Sequence, residues 1–349
     1  MFVYWSGCIL SCALTWLFTH DKNKKDSMFY KICIVLASAF PLILIGGIRY
    51  QVGADYPTYA AYYESVMEGY GPGRMELGYF LINKTLAFLE CSTPWLFFVT
   101  TVLFMLFTGL QVVEDSPSPT MSMFLLVSMT YYFISFNAVR QMVGAALLLF
   151  SLRYVEKKRF WKFFFCVVIA SFLHKICAIF FVVYFFDKIQ IRWKSAVFLT
   201  ALVMLLSSQI AAVANFLIGR SEYDVYLTSV YNTQNRGNIV FLINICLVIF
   251  PAFFFQKGNK KFELYFKLQL IAMWLSALSG KIVLLERIRW FFGLPSIILV
   301  PLTISHIKDR SIRILLMVCI LLLYVVYFSY TVGVQNSNLV LPYRTVFFN

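Results

Sequence analysis

The chain has 349 residues, of which 61% are hydrophobic and only 13% charged, with a mean hydropathy of +0.78. A soluble domain carries about 25% charged residues, so a soluble enzyme is excluded, and no connection between apolar runs is long enough to build one separately. The net charge of +14 is scattered through short loops, which excludes the contiguous basic face that nucleic-acid binding requires.

In chain order, apolar runs at 3–18, 32–48, 95–112, 121–136, 142–154 and 163–172 each predict a helix. So do the runs at 176–186, 197–218, 239–255, 264–279, 290–305 and 314–330. Most approach the ~20 residues that cross a hydrocarbon core. The two short ones that flank His174 predict helices whose ends line a watery, protein-enclosed cavity. The first run has no basic n-region and no A-x-A site, and reads as a retained span. The cysteines fall mostly inside apolar runs without a C-x-x-C pair, and read as small buried hydrophobes.

Lysine and arginine set the orientation. Basic connections at 21–26, 156–162, 187–194, 256–261 and 308–313 belong on the cytoplasmic side. Parity then forbids a crossing at 77–89, which is also short and carries Asn83-Lys84 inside it. It reads as a re-entrant or interfacial helix in the first large outer loop. The expectation is an all-α, polytopic membrane bundle, a single integral domain over 1–349 with about twelve crossings and both termini outside. Arg49, Asp55, Glu76, Arg140, His174, Glu286, Arg287 and Arg289 then collect at the extracytoplasmic face, and no cytoplasmic loop offers a comparable cluster. A charge at the bilayer centre costs roughly 2.5–3.5 kcal/mol on insertion scales, so such residues mark sites.

The loop 49–76 is the richest stretch. Gly53 allows a sharp turn, Pro57 suits the first position of a helix, and Tyr59, Tyr62 and Tyr63 recur at helical spacing. Two readings stand: an aromatic belt at the interface, or a carbohydrate platform in which sugar rings stack on tyrosine and a carboxylate takes a hydroxyl proton. Arg140, at the start of a helix near Val139, reads as an anion site or as an arginine reaching headgroups. His174 reads as a site residue or a hydrogen-bonded structural one. In an extended turn Arg287 and Arg289 would point the same way and clamp a diphosphate; otherwise Glu286 pairs with one of them. Pro342-Tyr343-Arg344 adds an outer aromatic and a cation. Walker A, G-x-G-x-x-G, H-E-x-x-H and G-x-S-x-G motifs are all absent from the sequence.

Laid out in order, these residues resemble the EpsG-like group of Wzy-type bacterial polysaccharide polymerases. Arg49-x-x-Val52-Gly53-x-Asp55-Tyr56-x-x-Tyr59 resembles the group's first outer-loop signature, Glu76-x-Gly78-Tyr79 the second and Asn137-x-x-Arg140-Gln141 the third. Phe172-Leu173-His174 is similar to a Phe-His region but with a leucine between. Glu286-Arg287 and Pro342-Tyr343 resemble looser, later features.

The resemblance implies a GT-C-like membrane glycosyltransferase of the cytoplasmic (inner) membrane with an outward-facing site. Its substrates would be oligosaccharide repeat units on undecaprenyl diphosphate, joined into O-antigen, capsule or exopolysaccharide. Implied partners are membrane lipids, a flippase and a chain-length regulator, with no nucleic acid. In that reading Asp55 is the general base, with Glu76 next in line and His174 a third catalytic candidate. Arg49, Arg140, Arg287 and Arg289 hold the diphosphate, and Tyr56, Tyr59, Gln141 and Tyr343 meet sugar. Arginines suffice for the leaving group, so neither a metal nor a cofactor is expected. The competing readings are another polyprenyl-phosphate-sugar transferase or ligase, and a flippase or transporter of lipid-linked glycans, whose charged lining would face both sides in turn.

Overall fold

A computed structural model describes residues 1–20, 27–189, 193–220, 237–255 and 257–347. The basic connection at 21–26 and most of the loop at 219–237, expected on the outer side, lie outside the described residues. Among the described residues there is helix and no strand, save one antiparallel bridge between Arg49 and Thr345. In lipid a helix satisfies its own backbone groups, which is why runs this apolar take that form.

Every predicted run becomes helical. In order these are α1 (Phe2–Thr19), α2 (Met28–Gly47), α3 (Tyr56–Met67), α4 (Leu77–Phe88) and α5 (Pro94–Asp115). Next come α6 (Pro119–Ser128), α7 (Tyr131–Asn137), α8 (Val139–Glu156), α9 (Phe160–Leu173) and a 3-10 helix, Lys175–Lys188. The remainder are α10 (Trp193–Leu205), α11 (Ser207–Ile218), α12 (Gly237–Phe253), α13 (Lys260–Ser279), α14 (Val283–Gly293), α15 (Ser296–Ser305) and α16 (Arg310–Phe328). Proline opens α3, α5 and α6, where its missing N–H is harmless. Asn259 and Asp309 cap α13 and α16 through their side chains.

Among the described residues, five helices are long and apolar enough to cross a membrane, and seven spans result if α6–α7 and α10–α11, bent by 50° and 62°, each count as one. Three shorter apolar helices accompany them. This is a helical membrane protein. The helix α4 has 12 residues, about 18 Å, too short for a ~30 Å core. It buries Tyr79, Asn83 and Leu86 and exposes Leu77, Leu81 and Phe88, as suits a helix lying at an interface.

The chain packs as two compact units, Met1–Phe181 with Ile304–Asn349, and Val182–Thr303. In the first, α2 lies between α1 and α5, α8 lies between α5 and α9, and α4 packs on α3 and α9. In the second, α13 is central, packed by α12 and α14, and a chain of polar contacts tightens it. Gln269 donates to Asn244 at 2.9 Å, and Trp274 donates to Thr200 at 2.9 Å.

The first unit also carries a polar network at the opposite end of α2 from Arg49. Lys31 and Lys157 both bond Glu114, at 2.8 and 3.0 Å. Buried Arg153 donates to Gln111 Oε1 at 2.9 Å and to the Leu110 carbonyl at 2.8 Å, and Gln111 donates to Asp115 at 2.6 Å. The expectation of no comparable cluster concerned the basic loops; of this network only Lys157 lies in one, and the other members are helix residues. The network forms because α2, α5 and α8 each end in polar residues on the same side. These pair laterally, because a charge next to hydrocarbon needs a partner.

Candidate active site

Three elements of the first unit converge on one carboxylate. Glu76, at the head of α4, makes no capping bond to its own helix and reaches outward instead. Its Oε2 accepts from Arg140 Nη1, the second residue of α8. Its Oε1 contacts His174 Nδ1 at 3.0 Å and accepts from the Lys175 backbone amide at 3.3 Å. His174 lies in the extended break between α9 and the 3-10 helix and is buried. Arg140 keeps 21% of its side chain exposed, against 11% for Glu76 and 5% for His174.

Two glycines make this convergence possible. A Cβ on Gly78 would lie 2.7 Å from the Phe172 carbonyl oxygen, so only glycine lets α4 sit this close to the end of α9. A Cβ on Gly144 would lie 2.7 Å from Cys177 Sγ. Gly144 is one turn below Arg140, so the same face of α8 that carries Arg140 meets the α9 hairpin. Gly78 belongs to a quoted signature. Gly144 and the Lys175 amide escaped sequence reasoning, and only the i, i+4 spacing from Arg140 hinted at the former.

The electrostatics follow from the packing. Burial by itself would raise the pKa of Glu76, but the His174 hydrogen bond and the Arg140 and His174 charges outweigh it and hold the carboxyl at about 2. Glu76 is therefore a fixed anion at neutral pH, suited to anchoring two cationic groups and poorly suited to accepting a proton. The guanidinium of Arg140 and the N-terminal end of α8 add to a positive region that Glu76 neutralises in part.

The first signature forms the neighbouring wall. Gly53 has φ +103°, a conformation that L side chains rarely adopt, and its Cβ position would be 2.8 Å from Asn137 Oδ1. The turn delivers Asp55, half-buried, to the N-cap position of α3. Tyr56, Tyr59, Tyr63 and Tyr79 pack with Leu96, Phe97 and Val139 in one buried cluster. Asp55 directly precedes this cluster and Arg140 directly follows it, so both flank the same packed unit.

Several expected site residues are placed differently. Tyr56 and Tyr59 are 4% and 7% exposed, with the Tyr56 ring stacked on Phe97 at 4.1 Å and Tyr59 edge-on to Tyr79. Their faces are taken by protein rather than offered to a sugar, because α3 turns its tyrosines toward α4 and α5. Arg49 is 1% exposed; it donates to the Gly46 carbonyl at the end of α2 and lies over the Phe97 and Phe136 rings at 4.7 and 4.2 Å. That is a helix-end anchor, a good use of a cation at a carbonyl terminus. Gln141 is buried, and the Tyr343 hydroxyl donates to the Ile45 carbonyl at 2.9 Å.

The extended turn expected around Arg287 and Arg289 is a helix instead, and the internal Glu286–arginine pair that the sequence left as the alternative forms. Both arginines lie inside α14, where residues two apart diverge by about 200°. Arg289 is buried and pairs with Glu286 through two hydrogen bonds, one at 2.8 Å, an i, i+3 contact that the helix creates. Glu286 also accepts from Trp290 at 3.3 Å.

No curated protein and no solved structure matches the chain. One family model does, across residues 31–345, from the second helix to Thr345, the bridge partner of Arg49. EpsG-like proteins are Wzy-type polymerases. With a match over nearly its whole length, the chain belongs to the EpsG family.

Proposed function

We propose that this protein polymerises oligosaccharide repeat units carried on undecaprenyl diphosphate, at the outer face of a bacterial cytoplasmic membrane. The fold in this reading is a GT-C-like bundle of about twelve crossings, counting the bent and short apolar helices as spans or half-spans. The observation that carries the reading is the Glu76–Arg140–His174 cluster, built from three separate segments of an EpsG-family membrane protein.

The chemistry needs a proton acceptor, a bond exchange at the anomeric carbon and a home for the diphosphate. Asp55 takes the proton from an acceptor sugar hydroxyl, whose oxygen bonds to the donor's anomeric carbon. The bond from that carbon to the diphosphate oxygen breaks, and its electron pair leaves with the lipid diphosphate. Arg140, still one-fifth exposed, meets that growing charge, and electrostatic stabilisation of this kind is usually the largest catalytic term. Glu76 holds Arg140 and His174 in place. Glu76 at a pKa of about 2 leaves Asp55 as the better base of the two carboxylates.

The test is purified protein with one lipid-linked repeat unit, followed by a glycan ladder, alongside ladders from cells with and without the gene. A ladder that appears only with the protein, and that Arg140→Ala abolishes, supports the proposal. Single repeat units in both cases would overturn it. Transfer of one monosaccharide from a monophosphate carrier would reassign the protein to the other transferase class.

A further inference from the structure

After the π-helix Ser329–Val334 the chain folds back across the loop that follows α2. Asn336, at φ +44°, makes the fold: its Oδ1 accepts from the Val340 and Leu341 amides at 2.9 and 3.0 Å, and its Nδ2 donates to the Leu341 carbonyl at 2.8 Å. The segment 336–346 then bonds the first signature backbone to backbone. Gly53 N donates to the Leu339 carbonyl at 2.9 Å, Tyr50 N to the Arg344 carbonyl at 3.0 Å, and Val346 N to the Ile48 carbonyl at 3.0 Å. The Tyr4 hydroxyl of α1 donates to the Val340 carbonyl at 2.6 Å, which pins the segment from the other side.

Asn137 joins this segment to the site. Its Nδ2 donates to the Asn338 carbonyl at 2.9 Å, while its Oδ1 lies against Gly53, where even a methyl group would not fit. It is also the last residue of α7, three before Arg140. A single side chain thus touches the C-terminal segment and the turn that presents Asp55, and stands at the root of the helix that presents Arg140. Each of those three parts is far from the others in sequence, and the bond to Asn338 spans 201 residues.

We propose that Asn137 is a positioning residue for glycosyl transfer. Through the C-terminal segment it locks the Gly53–Asp55 turn to the start of α8, which fixes the separation of base and leaving-group cation. The inference rests on the polymerase reading for its reaction, but its mechanical part stands on hydrogen bonds alone. Misplacing reacting groups by about 1 Å costs on the order of 100-fold in rate.

The test uses the full chain in detergent, with Asn137→Ala and Asn137→Asp. Amide hydrogen exchange is read at Tyr50 and Gly53, whose partners are carbonyls of the C-terminal segment. Exchange at both should rise by about tenfold or more in either variant as the local structure opens. With a lipid-linked repeat unit, kcat should fall about 100-fold while KM stays near wild type and the unfolding midpoint moves little. Asn137→Ser, which keeps a short donor, should recover part of kcat. Unchanged exchange at Tyr50 and Gly53 would overturn the coupling. Loss of activity only in step with loss of folded protein would make Asn137 structural and overturn the positioning role. If Asn137→Ala does not fold, Asn336→Ala releases the same segment from its other end, and unchanged exchange there is equally fatal. Should wild-type protein fail to polymerise at all, the polymerase reading falls, while the exchange result still decides whether the segment holds the loop.

Discussion

Replacing Glu76 by glutamine isolates what the central cluster contributes. The carboxylate accepts from Arg140, His174 and the Lys175 amide, and its pKa moves from an ordinary 4.5 to about 2. At about 1.4 kcal/mol per pH unit, that change corresponds to about 3 kcal/mol in favour of the ionised form in the folded protein. Glu76 is only 11% exposed, so solvent screening removes little of it. Glutamine keeps the shape but offers Arg140 and His174 no charge. Breaking a buried pair by removing one partner costs about 3–5 kcal/mol, which brackets the same figure. Because the folded pKa is depressed, the stabilisation is present above the unfolded value of 4.5 and is lost as pH falls through about 2. Unfolding by SDS in mixed micelles, followed by circular dichroism, should give Glu76→Gln about 3 kcal/mol less stability than wild type at pH 7. The gap should narrow steadily below pH 4.5 and nearly close near pH 2. A gap under about 0.5 kcal/mol at pH 7, or one that ignores pH, would refute the assignment of Glu76 as the ionised anchor.

Gly78→Ala places a methyl group 2.7 Å from the Phe172 carbonyl, so α4 must retreat from α9. The expected result is about 1–3 kcal/mol of destabilisation with loss of polymer, and normal ladders would show slack in that contact. Asp55→Asn should abolish polymer while leaving folded protein and lipid-substrate binding intact; turnover near the wild-type rate would remove Asp55 as base. Tyr56→Phe should polymerise nearly as wild type, whereas Tyr56→Ala should lose about 3–5 kcal/mol of stability, since the ring is stacked core. Arg289→Ala should lower the unfolding midpoint without raising KM for the lipid diphosphate, and the opposite pattern would restore a substrate role to that guanidinium.

The sequence by itself determined the kind of molecule this is. Composition excluded a soluble enzyme, apolar runs located the helices, Pro57 marked the head of α3, and the shortness of 77–89 marked α4 as too short for a full span. These are properties of single residues and short windows, where lipid preference and backbone chemistry act locally. The ordered signatures also led to the family. What the sequence could not show was rotation: which face of each helix meets which neighbour. A helix such as α8 is buried nearly all round, and its polar residues sit at its two ends, so no polar stripe tells one face from another. Tertiary packing decided that Tyr56, Tyr59 and Arg49 turn inward, and that Arg289 closes on Glu286 within a helix rather than beside Arg287 in a turn. It also brought Glu76 to Arg140 and His174 across 64 and 98 residues of chain. The rotation is set at the closest approaches, Gly78 against the Phe172 backbone and Gly144 against the Cys177 sulfur. Such a contact belongs to two distant segments at once, and no window of sequence contains both.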